Sequence, residues 1–242
     1  MRESVTDYAI LYARRRFSTG IAILLIAACL YPAFAALQGS GAVRVDLQLM
    51  RDLAGQRYGS EAVPTVNAWS ALLHIHRSLP IEQQLQSTNT FFNNRIRWMS
   101  DQSIYGQEDY WATPLETLGR LQGDCEDFSI AKYVTLLALG VSPASLRLVY
   151  VKARLASGES QAHMVLAWYQ TPRSVPLILD NLNPMILSAE QRSDLQPIFS
   201  FNAQDLWLSS GSNPTTASPR ARLSRWHQVL ERIGGEGLSA DW

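Results

Sequence analysis

The chain has 242 residues, 47% of them hydrophobic, and its 21 basic side chains are balanced by 21 acidic ones. That length can bury a core without covalent staples, and zero net charge argues against a chain held to nucleic acid by a basic field, so no nucleic-acid partner is expected. Two cysteines, Cys29 and Cys125, cannot make a disulfide scaffold, and no CxxC or Cys/His cluster has zinc spacing.

Residues 1–35 read as an export address. Arg14, Arg15 and Arg16 precede an apolar run over 20–31, and the small residues Ala33 and Ala35 complete a secretory signal cleaved after Ala35. The run falls short of the ~20 apolar residues a membrane span needs, although counting through Leu37 leaves an uncleaved inner-membrane anchor as an alternative. Ile26, Ala27, Ala28, Cys29 resembles a lipobox, but the sequence stays apolar after it; Arg14 to Phe17 matches part of a twin-arginine signal. Each reading carries the rest of the chain across the inner membrane, so the expected location is the periplasm.

Residues 36–210 read as one domain. Over 46–99 the pattern is helical, with Leu47, Met50, Leu53 and Ala54 in one stripe and Ala68, Leu72, Leu73 and Ile75 within a second. Pro64 and Pro80 punctuate this stretch, and 81–98 is predicted as a third helix. Thr113, Pro114, Leu115, Glu116 supplies an N-cap hydroxyl, a proline at the first helical position and a capping-box glutamate, so a short helix starts here and is predicted to stop at Gly123. Asp124 caps the next helix, which runs through Phe128, Ala131, Val134 and Leu137 to a C-terminal cap at Gly140. The period then changes: 146–154, 162–170 and 175–182 are β-rich, and their short connections favour an antiparallel sheet. Residues 211–242 read as a Ser-, Pro-, Thr- and Arg-rich linker followed by an amphipathic helix with Trp226, Val229, Leu230 and Ile233 on one face. The expected architecture is α+β: helices first, then a central helix, then a sheet packed against it.

The chemistry gathers at the central helix. Cys125 falls at or beside its first position, where backbone N–H groups and the helix dipole favour a thiolate; a buried structural cysteine is the alternative. If the strands over 162–170 and 175–182 form a hairpin turning at Thr171 and Pro172, His163 and Asp180 lie directly opposite each other. The carboxylate can then hold the imidazole while the other ring nitrogen faces the thiol, the logic of a nucleophile, base and orienter. His74 and His76 point in different directions on a helix and make a poor metal pair, and His227 is placed at the surface. Asp124, Glu126 and Asp127 surround the thiol with carboxylates, each opposing thiolate formation by on the order of 1 kcal/mol. A hard cation relieves that conflict: Asp124 and Asp127, one turn apart, can join Glu126 in an oxygen-rich site suited to Ca2+, although the spacing is not an EF-hand.

The run Asp109, Tyr110, Trp111, Ala112, Thr113, Pro114, followed by Gly123, Asp124, Cys125, Glu126, Asp127, Phe128 and by Ala131, Lys132, Tyr133, closely resembles the bacterial transglutaminase-like cysteine proteinases, the LapG family. Phe91, Phe92, Asn93, the stretch around His163, the segment Leu179 to Leu182, and Ser200, Phe201, Asn202 with Leu206, Trp207 extend the likeness over 46–207. The resemblance implies a papain-like fold of transglutaminase type, with Cys125 as nucleophile, His163 as base, Asp180 as orienter, and calcium bound through Asp124, Glu126 and Asp127. It also implies a periplasmic endopeptidase that clips a large surface adhesin near its N-terminus at a paired-alanine site and so releases cells from a biofilm. The implied inhibitor is the periplasmic domain of a LapD-type inner-membrane receptor for cyclic di-GMP. For the oxyanion, the Cys125 backbone N–H and the Trp111 side chain are the candidate donors. An acyltransferase or transglutaminase on the same triad, and a non-catalytic binding module, are the competing readings.

Overall fold

The computed structural model describes residues 43–208 and 219–240; residues 1–35, read above as an export address, and most of the stretch read as a linker lie outside the described residues. Among the described residues, no helix is long and apolar enough to cross a membrane.

A short strand, β1 (Arg44–Val45), leads into α1 (Leu47–Tyr58), which starts where the Asp46 side chain accepts the Leu49 N–H at 3.0 Å. Helix α2 (Val63–His76) carries Pro64 in its first turn, where the missing N–H costs no helical bond, and buries Val66, Trp69 and Leu72. Helix α3 (Ile81–Arg95) buries Leu85, Phe91 and Phe92. The helix does not run on to Trp98 as the periodicity predicts. Ile96 is extended, and β2 (Arg97–Trp98) pairs in parallel with β3 (Gln122–Gly123). This pairing gives the Arg97 and Met99 N–H groups the carbonyls of Leu121 and Gly123, at 2.9 and 3.0 Å.

Helix α4 (Asp101–Tyr105) ends at Gly106. Helix α5 (Pro114–Arg120) begins with the expected capping box: Thr113 Oγ1 accepts the Glu116 N–H at 3.1 Å and Glu116 Oε2 accepts the Thr113 N–H at 2.7 Å. It stops before Gly123 because Leu121 turns left-handed and the chain enters β3. Helix α6 (Cys125–Leu139) is buried continuously from Asp127 to Leu139, and Gly140, at φ +98°, closes it as expected.

The sheet contains β4 (Leu146–Arg154), β5 (Ser160–Trp168), β6 (Leu177–Leu179), β7 (Leu187–Ser188), β8 (Leu195–Phe201) and β9 (Leu206–Leu208). All neighbours are antiparallel, in the order β7-β6-β5-β4-β8-β9. Helix α6 lies against β4 and β5, with α2, α3 and α5 packed on it. Helix α7 (Pro219–Gly234) buries Trp226, Val229, Leu230 and Ile233, the four residues of the predicted apolar face. Trp226 meets Tyr133 and Phe201 edge-on and donates its indole N–H to the Asn202 carbonyl at 3.1 Å. Last, β10 (Leu238–Ser239) pairs antiparallel with β1.

Candidate active site

Cys125 is the first residue of α6, half-buried, with Asp124 as the residue before the helix. The α6 terminus is fastened to β5: Ser129 Oγ donates to the Met164 carbonyl at 3.1 Å, and the Met164 N–H bonds the Cys125 sulfur. The thiol therefore sits against the residue next to His163. His163 and Asp180 are each 1% exposed, and His163 Nε2 lies 2.8 Å from Asp180 Oδ1.

The strand register differs from the expected one. Leu166 pairs with Leu179 and Ala167 with Ile178, so β6 is displaced by two residues relative to a hairpin that sets His163 opposite Asp180. The strand is also shorter than the predicted 175–182, and Asp180 stands just past its end. A shift of two preserves which face each side chain occupies, so the two residues still meet, as diagonal neighbours.

Asp180 is held on every side. Its Oδ1 also accepts the Leu182 N–H at 3.0 Å, and its Oδ2 accepts from Arg192 Nη2 at 2.7 Å. Arg192, 3% exposed, bonds Asp194 as well, at 2.8 Å. The Asp180 carbonyl takes a hydrogen bond from Asn93 on α3 at 2.8 Å, and Asn89 on the same helix donates to the Pro184 carbonyl at 3.0 Å. Burial pushes the Asp180 carboxyl upward, but the bonds from His163, Leu182 and Arg192 outweigh it and hold the group at about 2. An ionised carboxylate only accepts, so the proton in the His163–Asp180 bond belongs to Nε2, and the tautomer this bond selects has Nδ1 bare. Lys132, two turns further along α6, is fully buried with Nζ 5.6 Å above the Phe128 ring; burial lowers its ammonium to about 7 against the pull of Asp180.

Three carboxylates gather beside the thiol. Ligand oxygens of Asp101, Asp124 and Asp127 lie within 4.8 Å of one another, as do those of Asp124 and Glu126 with the Cys125 sulfur. Asp127 Oδ1 accepts the Ala112 N–H at 2.7 Å, and Asp101 Oδ2 accepts the Tyr110 N–H at 2.6 Å. Asp101 Oδ1 and Asp124 Oδ1 are buried without a hydrogen-bond partner. Burial and mutual repulsion push the carboxyls of Asp101, Asp124 and Asp127 upward. Burial and the charges of Glu126 and Asp124 do the same to the Cys125 thiol, which donates to Glu126 Oε2 at 2.8 Å. Orphaned oxygens in an all-oxygen cluster fit a hard cation such as Ca2+. Of the three expected ligands, Asp124 and Asp127 belong to this cluster, while the Glu126 carboxylate faces the thiol; Asp101 completes the group.

The Trp111 indole does not offer a free donor. Its N–H is taken by Asp109 Oδ1 at 3.0 Å, and its ring stacks on Phe201 in the core, 2% exposed. His74 and His76 form no metal cluster with other described residues, and His227 is exposed.

A cysteine at the head of a buried helix, beside a histidine and carboxylate on an antiparallel sheet, defines a transglutaminase-like cysteine peptidase. The family model described as bacterial transglutaminase-like cysteine proteinase, BTLCP, matches residues 67–196. LapG of Legionella pneumophila is 39% identical, with a TM-score of 0.65 over 79% of this chain and 99% of that one. Its EGTA-treated form gives 39%, 0.66, 79% and 100%, and its calcium-bound form gives 38%, 0.65, 78% and 99%. Among the curated proteins nothing matches. The chain belongs to the bacterial transglutaminase-like cysteine proteinase family and is a cysteine peptidase.

Proposed function

We propose that this chain is a calcium-dependent periplasmic endopeptidase with Cys125 as nucleophile, His163 as general base and Asp180 as orienter. Its proposed substrate is a large surface adhesin, cut near its N-terminus at a paired-alanine site to release cells from a biofilm. The observation that carries the triad is the buried His163–Asp180 bond standing beside a cysteine at a helix N-terminus. The substrate, the biofilm role and restraint by the periplasmic domain of a cyclic di-GMP receptor rest on the family likeness, and the location on the export signal read in residues 1–35.

His163 Nδ1 takes the Cys125 proton, and the thiolate attacks the scissile carbonyl carbon. As the tetrahedral intermediate collapses, the leaving amine receives that proton from the imidazolium, and a thioester remains. Water, deprotonated by His163, then hydrolyses the thioester and restores the thiol. The Cys125 backbone N–H is the oxyanion donor available at the helix start. Asp101, Asp124 and Asp127 would hold Ca2+, with Glu126 beside them. When bound, the ion supplies positive charge against the carboxylates that oppose the thiolate. A calcium-bound form of the Legionella relative supports that assignment.

The test is an adhesin N-terminal fragment incubated with wild type and with Cys125→Ala, in calcium and in chelator. Two shorter products from wild type in calcium, and none from the variant, are expected. Cross-linked or amine-tagged product would overturn hydrolysis as the reaction, and undiminished cleavage in chelator would overturn the calcium requirement.

A further inference from the structure

Helix α7 grips the loop that orients the carboxylate cluster. Arg225 pairs with Asp109, and Arg232, two turns on, reaches the Tyr110 hydroxyl, both Glu116 oxygens (2.8 and 3.1 Å) and the Trp111 carbonyl. The carbonyl that Arg232 holds and the N–H that Asp127 accepts at 2.7 Å belong to one peptide unit, Trp111–Ala112. One residue earlier, the Tyr110 N–H orients Asp101 at 2.6 Å. Asp109 adopts φ +58°, a conformation a side-chain-bearing residue keeps only when its surroundings hold it, and here Arg225 and the Trp111 indole hold its carboxylate. Two of the three cluster carboxylates thus take their orientation from backbone that α7 fixes. A cation on a carbonyl also polarises the peptide and strengthens its N–H as a donor.

We infer that α7 is a positioning element for the cluster, and that Arg232, through the Trp111–Ala112 peptide, sets the affinity with which Asp101, Asp124 and Asp127 bind Ca2+. The inference rests on the calcium reading above. Arg232 is one bond further out than a direct partner of a ligand, whose loss costs about 10–100-fold in affinity, so about three- to tenfold is expected here. Linkage requires the converse: calcium must stabilise the docking of α7 by the same factor. The helix keeps its separate anchor in Trp226, Val229, Leu230 and Ile233, so losing one guanidinium leaves it attached.

The experiment titrates Ca2+ into the full chain by calorimetry, comparing wild type, Arg232→Gln and Tyr110→Phe, with calcium-free thermal unfolding as the check on folding. Hydrogen exchange of α7 is followed with and without the ion. Arg232→Gln is expected to raise Kd about three- to tenfold, Tyr110→Phe to raise it less, and calcium to slow exchange in α7 of the wild type. Should Arg232→Gln not fold, Tyr110→Phe, which removes only a hydroxyl, decides. A Kd within about twofold of wild type in the folded variant, or α7 exchange indifferent to calcium, overturns this inference alone. Absence of calcium binding by the wild type overturns the calcium reading with it.

Discussion

Asp180 has both oxygens engaged: Arg192 Nη2 takes Oδ2 while the imidazole and the Leu182 N–H take Oδ1, and the Arg192 fork is itself held by Asp194. The carboxylate selects the tautomer that leaves Nδ1 bare, so Arg192 acts on His163, the proposed base, through Asp180. A charge-assisted bond of this kind is worth about 1.5–3 kcal/mol, so Arg192→Met should lower kcat about 10–100-fold with KM nearly unchanged. Arg192→Lys should restore part of the loss, and the downfield imidazole N–H resonance of His163 should weaken in the Met variant. An unchanged kcat in a folded Arg192→Met protein would remove the residue from this role. The same carboxylate has a pH signature. Its native value of about 2 lies below the ordinary 3.8, so its stabilising contribution is complete above about pH 4 and is lost as pH falls toward 2. Acid titration of stability should therefore lose about 2 kcal/mol less in Asp180→Asn than in wild type over that window.

The start of α6 is fitted to its neighbours at van der Waals limits. A Cβ on Gly123 would stand 2.8 Å from Asp127 Cβ and 2.9 Å from its Oδ2, so β3 can approach the helix only without a side chain there. Gly123→Ala should cost about 1–3 kcal/mol in chemical denaturation and displace Asp127, weakening the proposed calcium site; an unchanged denaturation midpoint would contradict this. How much of this was readable depended on range. The α5 capping box, the Asp124 cap and the 146–154 strand all express neighbours within a few residues and emerge as predicted. The His163 and Asp180 pairing survived an error of two in register because parity along a strand is what fixes the face. Asp101 and Arg192 left no local mark: Asp101 meets Asp124 from a separate helix, and Arg192 reaches Asp180 from beyond β7. The turn of the chain into β2 at Arg97 was likewise hidden, since its partner strand lies beyond two further helices.

The core as a whole is organised around α6, and among the charged residues it buries is Lys132, over the Phe128 ring. Its ammonium falls to about 7 from 10.5, so as pH drops from 10.5 the unfolded chain takes up a proton that the native one resists. Stability from this source falls over that window and levels off below pH 7. Lys132→Met should accordingly melt higher than wild type at pH 7, by an amount that shrinks toward pH 10; a melting difference independent of pH would count against a buried, proton-resisting lysine. At the same scale, the first and last strands of the described unit are partners, with Arg44 opposite Ser239 and the Asp46 N–H on the Gly237 carbonyl at 2.7 Å. The polypeptide thus enters and leaves the folded body at one spot, and a tether attached at either end suspends the body from the same point. The described ends, residues 43 and 240, are close neighbours, so joining them through a short linker and reopening at the exposed turn around Gly158 should yield a circular permutant of this unit with the same arrangement of side chains about Cys125.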